Sequence, residues 1–275
     1  RQRQMCIRDR AFAVQLGQFR PWLSRGFRTG LPVLGLPGRG AIVDRFRVDR
    51  DVGVTVQGQP FGGKFEYYAG AMSGSGRGMT TLAPSPLFTA RLVLAPLGPV
   101  PYVQTPYVRR VGPRSPRRHD EPSNRFAVAL GASAYTVSNR ESLARSDGSA
   151  LRTEARRRWG TSGDLVVSQR RVFGVAEGFY EHRAGFSDVG VSAQKSWGAY
   201  AQAGVLAWNP FLDLTVRAGF IDEGRPVAPI EPGLNAYIFG NSGKLQVSYR
   251  CDVNAGRGES GCLAHTGTLQ AQLQF

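Results

Sequence analysis

The last ten residues of the chain, Thr266 to Phe275, alternate between apolar and polar side chains. The apolar positions of this stretch are Leu269, Ala271, Leu273 and Phe275. A period of two indicates a β-strand with one dry face and one wet face. A soluble edge strand has this pattern. A strand of a membrane β-barrel has it too, because its dry face meets lipid and its wet face meets a water-filled lumen. The terminal aromatic favours the barrel, since aromatic side chains mark the membrane interface.

Eleven further segments predict strands, so the chain has twelve in all. They are residues 11–19, 51–58, 63–72, 87–95, 125–135, 163–169, 172–183, 195–208, 211–221, 233–239 and 243–252. Most alternate cleanly, but the phase of 172–183 is ambiguous because Glu177 and Phe179 share a face, and 195–208 is ambiguous too. Residues 139–158 contain helix formers, yet Gly and Ser-Asp interrupt them, and we expect a loop there. The sequence therefore predicts an all-β antiparallel fold.

The connections between these strands differ in length in an ordered way. Short connections are 59–62, 169–171, 208–210 and 240–243, and the long ones that alternate with them are 20–50, 73–86, 136–162, 184–194, 222–232 and 253–265. Outer-membrane barrels have this arrangement, with tight periplasmic turns and long extracellular loops. The exception is the Pro- and Arg-rich stretch 96–124, which is long but falls in the short set, and whose role the sequence does not explain.

The charge and the two chain ends add further expectations. The chain carries 35 Lys+Arg against 20 Asp+Glu, a net charge of +15, which suits phosphates, nucleic acid or anionic membranes as partners. No apolar run is long enough for a transmembrane helix. Residues 1–10 (RQRQMCIRDR) look foreign, which would leave 11–275 as the native domain with its N-terminal strands missing. Cys251 and Cys262 flank a polar loop and are predicted to form a disulfide in an oxidising compartment, with two free thiols as the alternative.

An ordered set of segments resembles one known family. QLGQFRPWLSRGF (15–27), RDVGVTVQG (50–58) and GKFEYYAGAMSGSG (63–76) are similar, in this order, to strands of the phosphate-selective porin O/P family of Gram-negative outer membranes. Five later segments continue the resemblance: FTARLVLAPLG, FAVALGASAY, AYAQAGVLAWNP, LTVRAGFID and LNAYIFGNSGKLQVSYR. The terminal Phe also resembles the C-terminal signal of bacterial outer-membrane barrels. The family implies about sixteen strands, a homotrimer, and an outer-membrane location in contact with lipid.

The resemblance also implies a site. In the family, the long loop that corresponds to residues 20–50 folds into the barrel and narrows the pore. Here that loop is rich in arginine and has only two acidic residues, Asp44 and Asp49. The residues expected to form an anion-attracting constriction are Arg25, Arg28, Arg39, Arg45 and Arg47. The residues expected to face the lumen from strands are Lys64, Arg91, Arg217, Lys244 and Arg250. The alternatives are arginines on a solvated loop or against lipid phosphates, and ordinary solvent-facing strand residues.

The expected function is passive diffusion of small anions, such as phosphate, through an arginine-lined pore. Catalysis has little support, because the three histidines (His119, His182 and His265) lack metal-ligand spacing and no nucleophile motif is present. We therefore expect no enzyme activity, no cofactor and no metal. Two alternatives stay open. One is an outer-membrane barrel that acts as a surface receptor or adhesin. The other is a soluble basic all-β protein that binds nucleic acid, for instance through residues 101–110.

Overall fold

The structure is a computed structural model in which one large antiparallel sheet contains most of the chain. It describes residues 5–8, 11–74, 85–105, 107–110, 119–122, 126–143, 152–169, 171–185, 192–208, 211–238, 241–254 and 262–273. The strands are β1 (Met5–Arg8), β2 (Ala13–Phe19), β3 (Asp51–Gly58), β4 (Phe65–Met72), β5 (Ser85–Leu94), β6 (Tyr107–Arg110), β7 (His119–Pro122), β8 (Ala127–Leu143), β9 (Arg152–Gln169), β10 (Val172–Arg183), β11 (Gln194–Trp208), β12 (Leu212–Asp222), β13 (Val227–Tyr237), β14 (Gly243–Asn254) and β15 (Cys262–Leu273).

Thirteen of these strands pair antiparallel in chain order, β1 to β5 and then β8 to β15, while β6 and β7 form a separate ribbon. The helices are short: α1 (Arg25–Arg28), α2 (Ala41–Phe46) and α3 (Pro60–Gly63), with a 3₁₀ turn at Leu31–Val33. No helix among the described residues is long and apolar enough to cross a membrane.

The prediction of an all-β antiparallel sheet is confirmed, because each of the twelve predicted segments coincides with a strand of the large sheet. The additional strand, β1, lies inside the segment predicted to be foreign and pairs with β2 from Met5 opposite Leu16 to Arg8 opposite Ala13. The origin of that segment stays a prediction. Phe275, the aromatic that ends the alternating stretch, lies outside the described residues.

The loop expected at 136–162 is largely wrong. There β8 and β9 continue as a paired hairpin, from Ala127 opposite Ser168 to Leu143 opposite Arg152. Backbone hydrogen bonds, which do not depend on side-chain polarity, hold this extension. A strand that extends beyond the lipid is wet on both faces and needs no apolar alternation. The sequence signal therefore disappears before the strand does. The same reason shortens the expected loop 222–232, since β13 already begins at Val227.

The two faces of the sheet differ in polarity in the sense opposite to that of a soluble domain. On β12, Leu214 and Val216 are each 47% exposed, while the alternating positions Asp213 and Thr215 are buried. The same division holds on β14, where Leu245 and Val247 are exposed and Lys244, Gln246 and Ser248 are buried. Soluble proteins bury apolar side chains and expose charged ones. A polar inner face and an apolar outer face are instead typical of a membrane barrel wall.

The two strands of ambiguous phase follow the same division once the inner partners are known. On β10, Phe173, Phe179 and Glu177 all lie on the buried inner face, and on β11 Tyr200 does the same. Apolar residues occur inside the barrel there because an inward-folded segment packs against them, and Glu177 has hydrogen-bond partners in that segment.

Aromatic residues mark both ends of the apolar outer face. On β11, Trp197 and Trp208 are exposed at opposite ends of the strand. Eleven residue steps at about 3.3 Å each correspond to about 36 Å along the strand. At a tilt of about 40° this is a height of about 28 Å, close to the apolar band of outer-membrane barrels, which is about 25 Å tall.

Candidate pore constriction

Residues 20–50, here called the constriction segment, connect β2 to β3 and lie against the inner wall of the sheet. Polar wall residues hold its backbone. Lys244 Nζ on β14 donates to the carbonyl of Leu34 over 2.7 Å, and Asn235 Nδ2 on β13 donates to the carbonyl of Gly35 over 2.7 Å. No described strand pairs with this segment through backbone hydrogen bonds. The side-chain bonds therefore satisfy backbone carbonyls that would otherwise be buried without a donor.

The start of the segment is held by a buried carboxylate. Glu177 on β10 accepts the backbone N–H of Arg25 over 2.7 Å and that of Gly26 over 3.1 Å. The hydroxyl of Tyr200 on β11 donates to the same carboxylate over 2.9 Å. At Gly26 a Cβ would lie 2.8 Å from the Tyr200 hydroxyl and 2.9 Å from Glu177 Oε2, so the close approach requires glycine. We call Glu177, Tyr200 and Gly26 the latch.

Apolar contacts fix the middle of the segment. Phe46 of α2 stacks parallel to Phe179 on β10, with ring centroids 5.2 Å apart. Ile42 and Val43 of the same helix are almost completely buried against this part of the wall. A cavity beside α2 has a volume of only about 10 Å³, which is about the room that one water molecule needs. The segment is therefore packed against the wall rather than suspended in the lumen.

Three of the five residues predicted to face the lumen lie on the inner face and are already engaged. Arg91 is buried and pairs with Asp164 (Nη2 to Oδ2, 2.7 Å), so it joins β5 to β9 across the inner wall. Arg217 donates to Gly38 of the constriction segment over 3.2 Å and pairs with Glu231 at 3.3 Å. With Lys244 bound to Leu34, these cations anchor structure rather than line open water.

A fourth predicted lumen-facing residue, Arg250, has the same strand phase as Lys244 and lines the cavity beside α2. It is half-buried, with Nε 3.2 Å from Asp252 Oδ1. The fifth residue lies elsewhere. Lys64 is exposed and precedes β4, because the chain is still in the turn that ends α3. The prediction of a strand position for Lys64 was wrong by one residue. The Gly-rich turn before it continues longer than alternation suggested.

Two of the five predicted constriction arginines are bound by groups outside the constriction segment. Arg25 is 2% exposed and donates to the carbonyl of Pro101 over 2.9 Å, with its guanidinium 4.4 Å from the Tyr102 ring centroid. Arg45 forms ion pairs with Glu223 and with Glu181, the latter at 3.3 Å. We do not retain these two as anion contacts. The arginines that we retain bind groups of the segment itself.

The remaining predicted arginines lie beside two that were not chosen. Arg28, Arg39 and Arg47 occur together with Arg20 and Arg50, and we call these five the arginine cluster. Aromatic rings separate the guanidinium groups: Arg28 lies 3.3 Å from the Trp22 ring centroid, and Arg20 and Arg39 lie 5.3 and 5.8 Å from that of Phe27. The acidic residues near them are Asp44, paired with Arg47 at 3.1 Å, and Asp49.

Burial and neighbouring positive charges lower the pKa of three arginines of the cluster. Burial, together with the neighbouring charges of Arg50 and Arg47, lowers the pKa of Arg20. Burial and the charge of Arg20 likewise lower the pKa of Arg39, and burial lowers that of Arg28 to about 10. Like charges disfavour the protonated form, and a bound anion would relieve this repulsion. The Nε atoms of Arg28 and Arg39 are buried and have no hydrogen-bond partner among the described residues.

Sequence reasoning counted Arg20 and Arg50 among the arginines of the loop but did not select them for the constriction. It also left out Glu177, whose only sequence signal was a carboxylate on the same face as Phe179. That apparent irregularity is the sign of a wall strand with a partner inside the barrel.

A disulfide joins Cys251 on β14 to Cys262 on β15, with the Cα atoms 5.4 Å apart. It lies at the end of the sheet that has the long connections. No group of three or more metal-ligating side chains occurs among the described residues.

Comparison with known proteins places the fold. No family model matches the sequence, and no curated protein matches it. Two solved structures match over 98% of this chain at 10% sequence identity. The anion-selective porin from Comamonas acidovorans has a TM-score of 0.54 with 72% of its own chain covered, and OprB of Pseudomonas putida has 0.51 with 70% covered. With its apolar outer face and inward-folded segment, this chain has the fold of a porin β-barrel.

Proposed function

We propose that this chain forms an outer-membrane pore through which small anions diffuse passively, drawn by the arginine cluster of the constriction segment. The observation that carries the proposal is the position of this segment. Its backbone is bound to the inner wall by Lys244, Asn235 and Glu177, so the cluster is held inside the barrel. The name of one structural neighbour, an anion-selective porin, agrees with this proposal.

The chemistry of the cluster supports anions as the solute. Guanidinium groups replace part of the hydration shell of an anion with directed N–H donors, and they remain charged at neutral pH. Five arginines face two carboxylates there, one of which is already paired. A cation would meet net repulsion at the same position.

Phosphate is the finer part of the proposal. Arginine recognises phosphate through two parallel N–H donors, so a cluster of this kind suits an oxyanion better than a halide. Guanidinium groups stacked on Trp22 and Phe27 have fixed planes, which favours a ligand with several acceptor oxygens. Together with phosphate as the solute, we propose that the chain belongs to the phosphate-selective porin family and lies in a bacterial outer membrane. We also propose that the full barrel has sixteen strands and assembles as a trimer.

The test is the reversal potential of the refolded protein in planar bilayers that separate unequal KCl concentrations. Discrete conductance steps with an anion-selective reversal potential support the proposal. Phosphate added to both sides should then reduce the chloride conductance, because it occupies the cluster. A well-folded protein that gives no steps, or a cation-selective potential, would contradict the anion pore. Unchanged chloride current with phosphate would contradict only the phosphate part.

A further inference from the structure

Three basic side chains lie close together on the outer face of the sheet, away from the lumen, on β9, β10 and β11. Arg157 and Lys195 are exposed, and His182 between them is half-buried. The register places His182 opposite Lys195 on one side and opposite Trp159 on the other. Arg157 lies two residues beyond Trp159 and therefore points to the same face. We call Arg157, His182 and Lys195 the outer basic patch.

The height of the patch on the barrel is fixed by aromatic residues. Trp159 and Trp197 are exposed on the same face, and Trp197 is two residues from Lys195 along β11. The Trp159 ring lies against the His182 ring, with centroids 5.6 Å apart. Exposed Trp residues at the end of an apolar band lie at the level of lipid headgroups. The patch is thus at the level where lipid phosphates lie.

The described residues do not neutralise the charges of the patch. Arg157 and Lys195 have no ion-pair or hydrogen-bond partner for their side chains in this part of the chain. The carboxylate of Asp222 lies on the same face, opposite Trp197, and accepts the N–H of Gly224 over 2.8 Å. Glu181 belongs to the inner face, where arginines already surround it. Two exposed cations at the edge of an apolar surface are placed to attract an anion from outside the chain.

We propose that Arg157, His182 and Lys195 bind the phosphate group of a membrane lipid on the outer surface of the barrel. Two strand spacings of about 4.8 Å and an offset of two residues along the strand place Arg157 and Lys195 about 12 Å apart at their backbones. Both side chains are long enough to reach a phosphate between them. The acyl chains of that lipid lie along the apolar wall below Trp159 and Trp197. This site depends on the proposed function only in that the outer face meets lipid, and not on what passes through the pore.

The test uses tryptophan quenching by brominated lipids in reconstituted vesicles. The chain has four Trp residues, so Trp22→Phe and Trp208→Phe leave Trp159 and Trp197 as reporters beside the patch. Brominated phosphatidic acid, which carries a phosphate monoester, is compared with brominated phosphatidylcholine at equal content. In this parent protein phosphatidic acid should bind preferentially, by about five-fold for each basic group. R157Q/K195Q should lose the preference, whereas R171Q, an exposed arginine at the opposite end, should keep it.

Each other outcome has a separate meaning. Equal quenching by the two lipids in the parent, or a preference that persists in R157Q/K195Q, would overturn the lipid site and leave the pore intact. If inorganic phosphate abolishes the preference, the patch takes free phosphate and the lipid assignment is wrong. Absence of quenching by either lipid would mean that the outer face is not in the membrane, which would also contradict the proposed function. Heat-dependent electrophoretic migration shows that each variant is folded.

Discussion

The carboxylate of Glu177 accepts the backbone N–H of Arg25 over 2.7 Å, across 152 residues of sequence. This bond connects the wall of the barrel to the first turn of the constriction segment. It is buried, and the carboxyl oxygens of Glu177 accept N–H groups of the first turn of α1 that have no acceptor within the helix. The position of the arginine cluster therefore depends on a residue that never meets the solute.

Replacing Glu177 with Ala should release the start of the constriction segment. Removing this buried carboxyl group should lower the free energy of unfolding by about 1–3 kcal/mol, because the N–H groups of Arg25 and Gly26 would have no hydrogen-bond acceptor. We expect larger and noisier single-channel currents and weaker anion selectivity, measured in planar bilayers. G26A should act in the same direction because its methyl group would displace Glu177 and Tyr200.

The matched control for the latch is E223Q, since Glu223 pairs with Arg45 at the more exposed end of the segment. It removes a carboxylate without changing the latch and should leave the current noise as in the native protein. Native conductance in E177A, with a normally folded barrel, would show that the latch does not hold the segment.

The pH dependence follows from Arg28. Burial lowers its pKa to about 10, because the charged form is less well solvated there. Selectivity should thus be constant from about pH 6 to about pH 9 and should fall as the pH passes through the pKa of Arg28. The effect on the free energy of folding has the opposite sign. Below about pH 10 the buried charge of Arg28 destabilises the folded state, and this penalty is relieved as the pH rises and Arg28 loses its proton. The reversal potential measured against pH checks this, and R28Q should lack the step. A step that survives in R28Q would have another origin.

The outer face should not tolerate charge at mid-height. Leu214→Arg places a cation on a strand position that faces lipid in this account, at a cost of about 2–4 kcal/mol near the midplane. The free energy of unfolding from urea titrations in vesicles measures it, with L214A as the control for lost apolar contact. If L214R is no less stable than L214A, the face is in water and the barrel orientation is wrong.

Reduction of the disulfide should lower stability without changing transport. Cys251 and Cys262 are 11 residues apart in sequence. A disulfide that closes a loop of this size lowers the conformational entropy of the unfolded chain and so stabilises the fold by about 3 kcal/mol. The midpoint of thermal unfolding should fall in the presence of reductant, and C251S/C262S should show the same lower midpoint without it. An unchanged midpoint would mean that the bond does not constrain the unfolded chain, and a changed reversal potential would mean that this end of the sheet contributes to the pore.

Much of the wall could be read from the sequence because one physical rule sets it. Every strand between lipid and lumen must alternate apolar and polar side chains. The sequence alone therefore predicts that Leu214 and Val216 lie on the outer face. Alternation is lost where a strand has no lipid on its outer side. Residues 139–143 extend β8 beyond the apolar band, and there the ladder continues without a hydrophobic signal.

The site was less predictable because it depends on contacts between distant residues. Nothing near Arg25 or Arg45 in sequence shows that Pro101 and Glu181 will bind their side chains. Phe179 seemed to be out of phase because its partner, Phe46, is far away along the chain. Composition could indicate an arginine-rich segment, but only the folded arrangement separates arginines bound to groups outside the segment from arginines bound within it.

That separation is the central claim, and the reversal potential of two variants tests it most directly. R20Q/R28Q/R39Q removes three cations of the cluster, whereas R45Q removes one that is already paired with Glu181 and Glu223. At about 8 Å in water each charge stabilises an anion by about 0.5 kcal/mol and destabilises a cation by the same amount. The triple variant should therefore lower the anion-to-cation permeability ratio by about a hundred-fold. R45Q should leave the ratio nearly unchanged. A ratio that is insensitive to the triple variant, or one that falls as far in R45Q, would contradict the account.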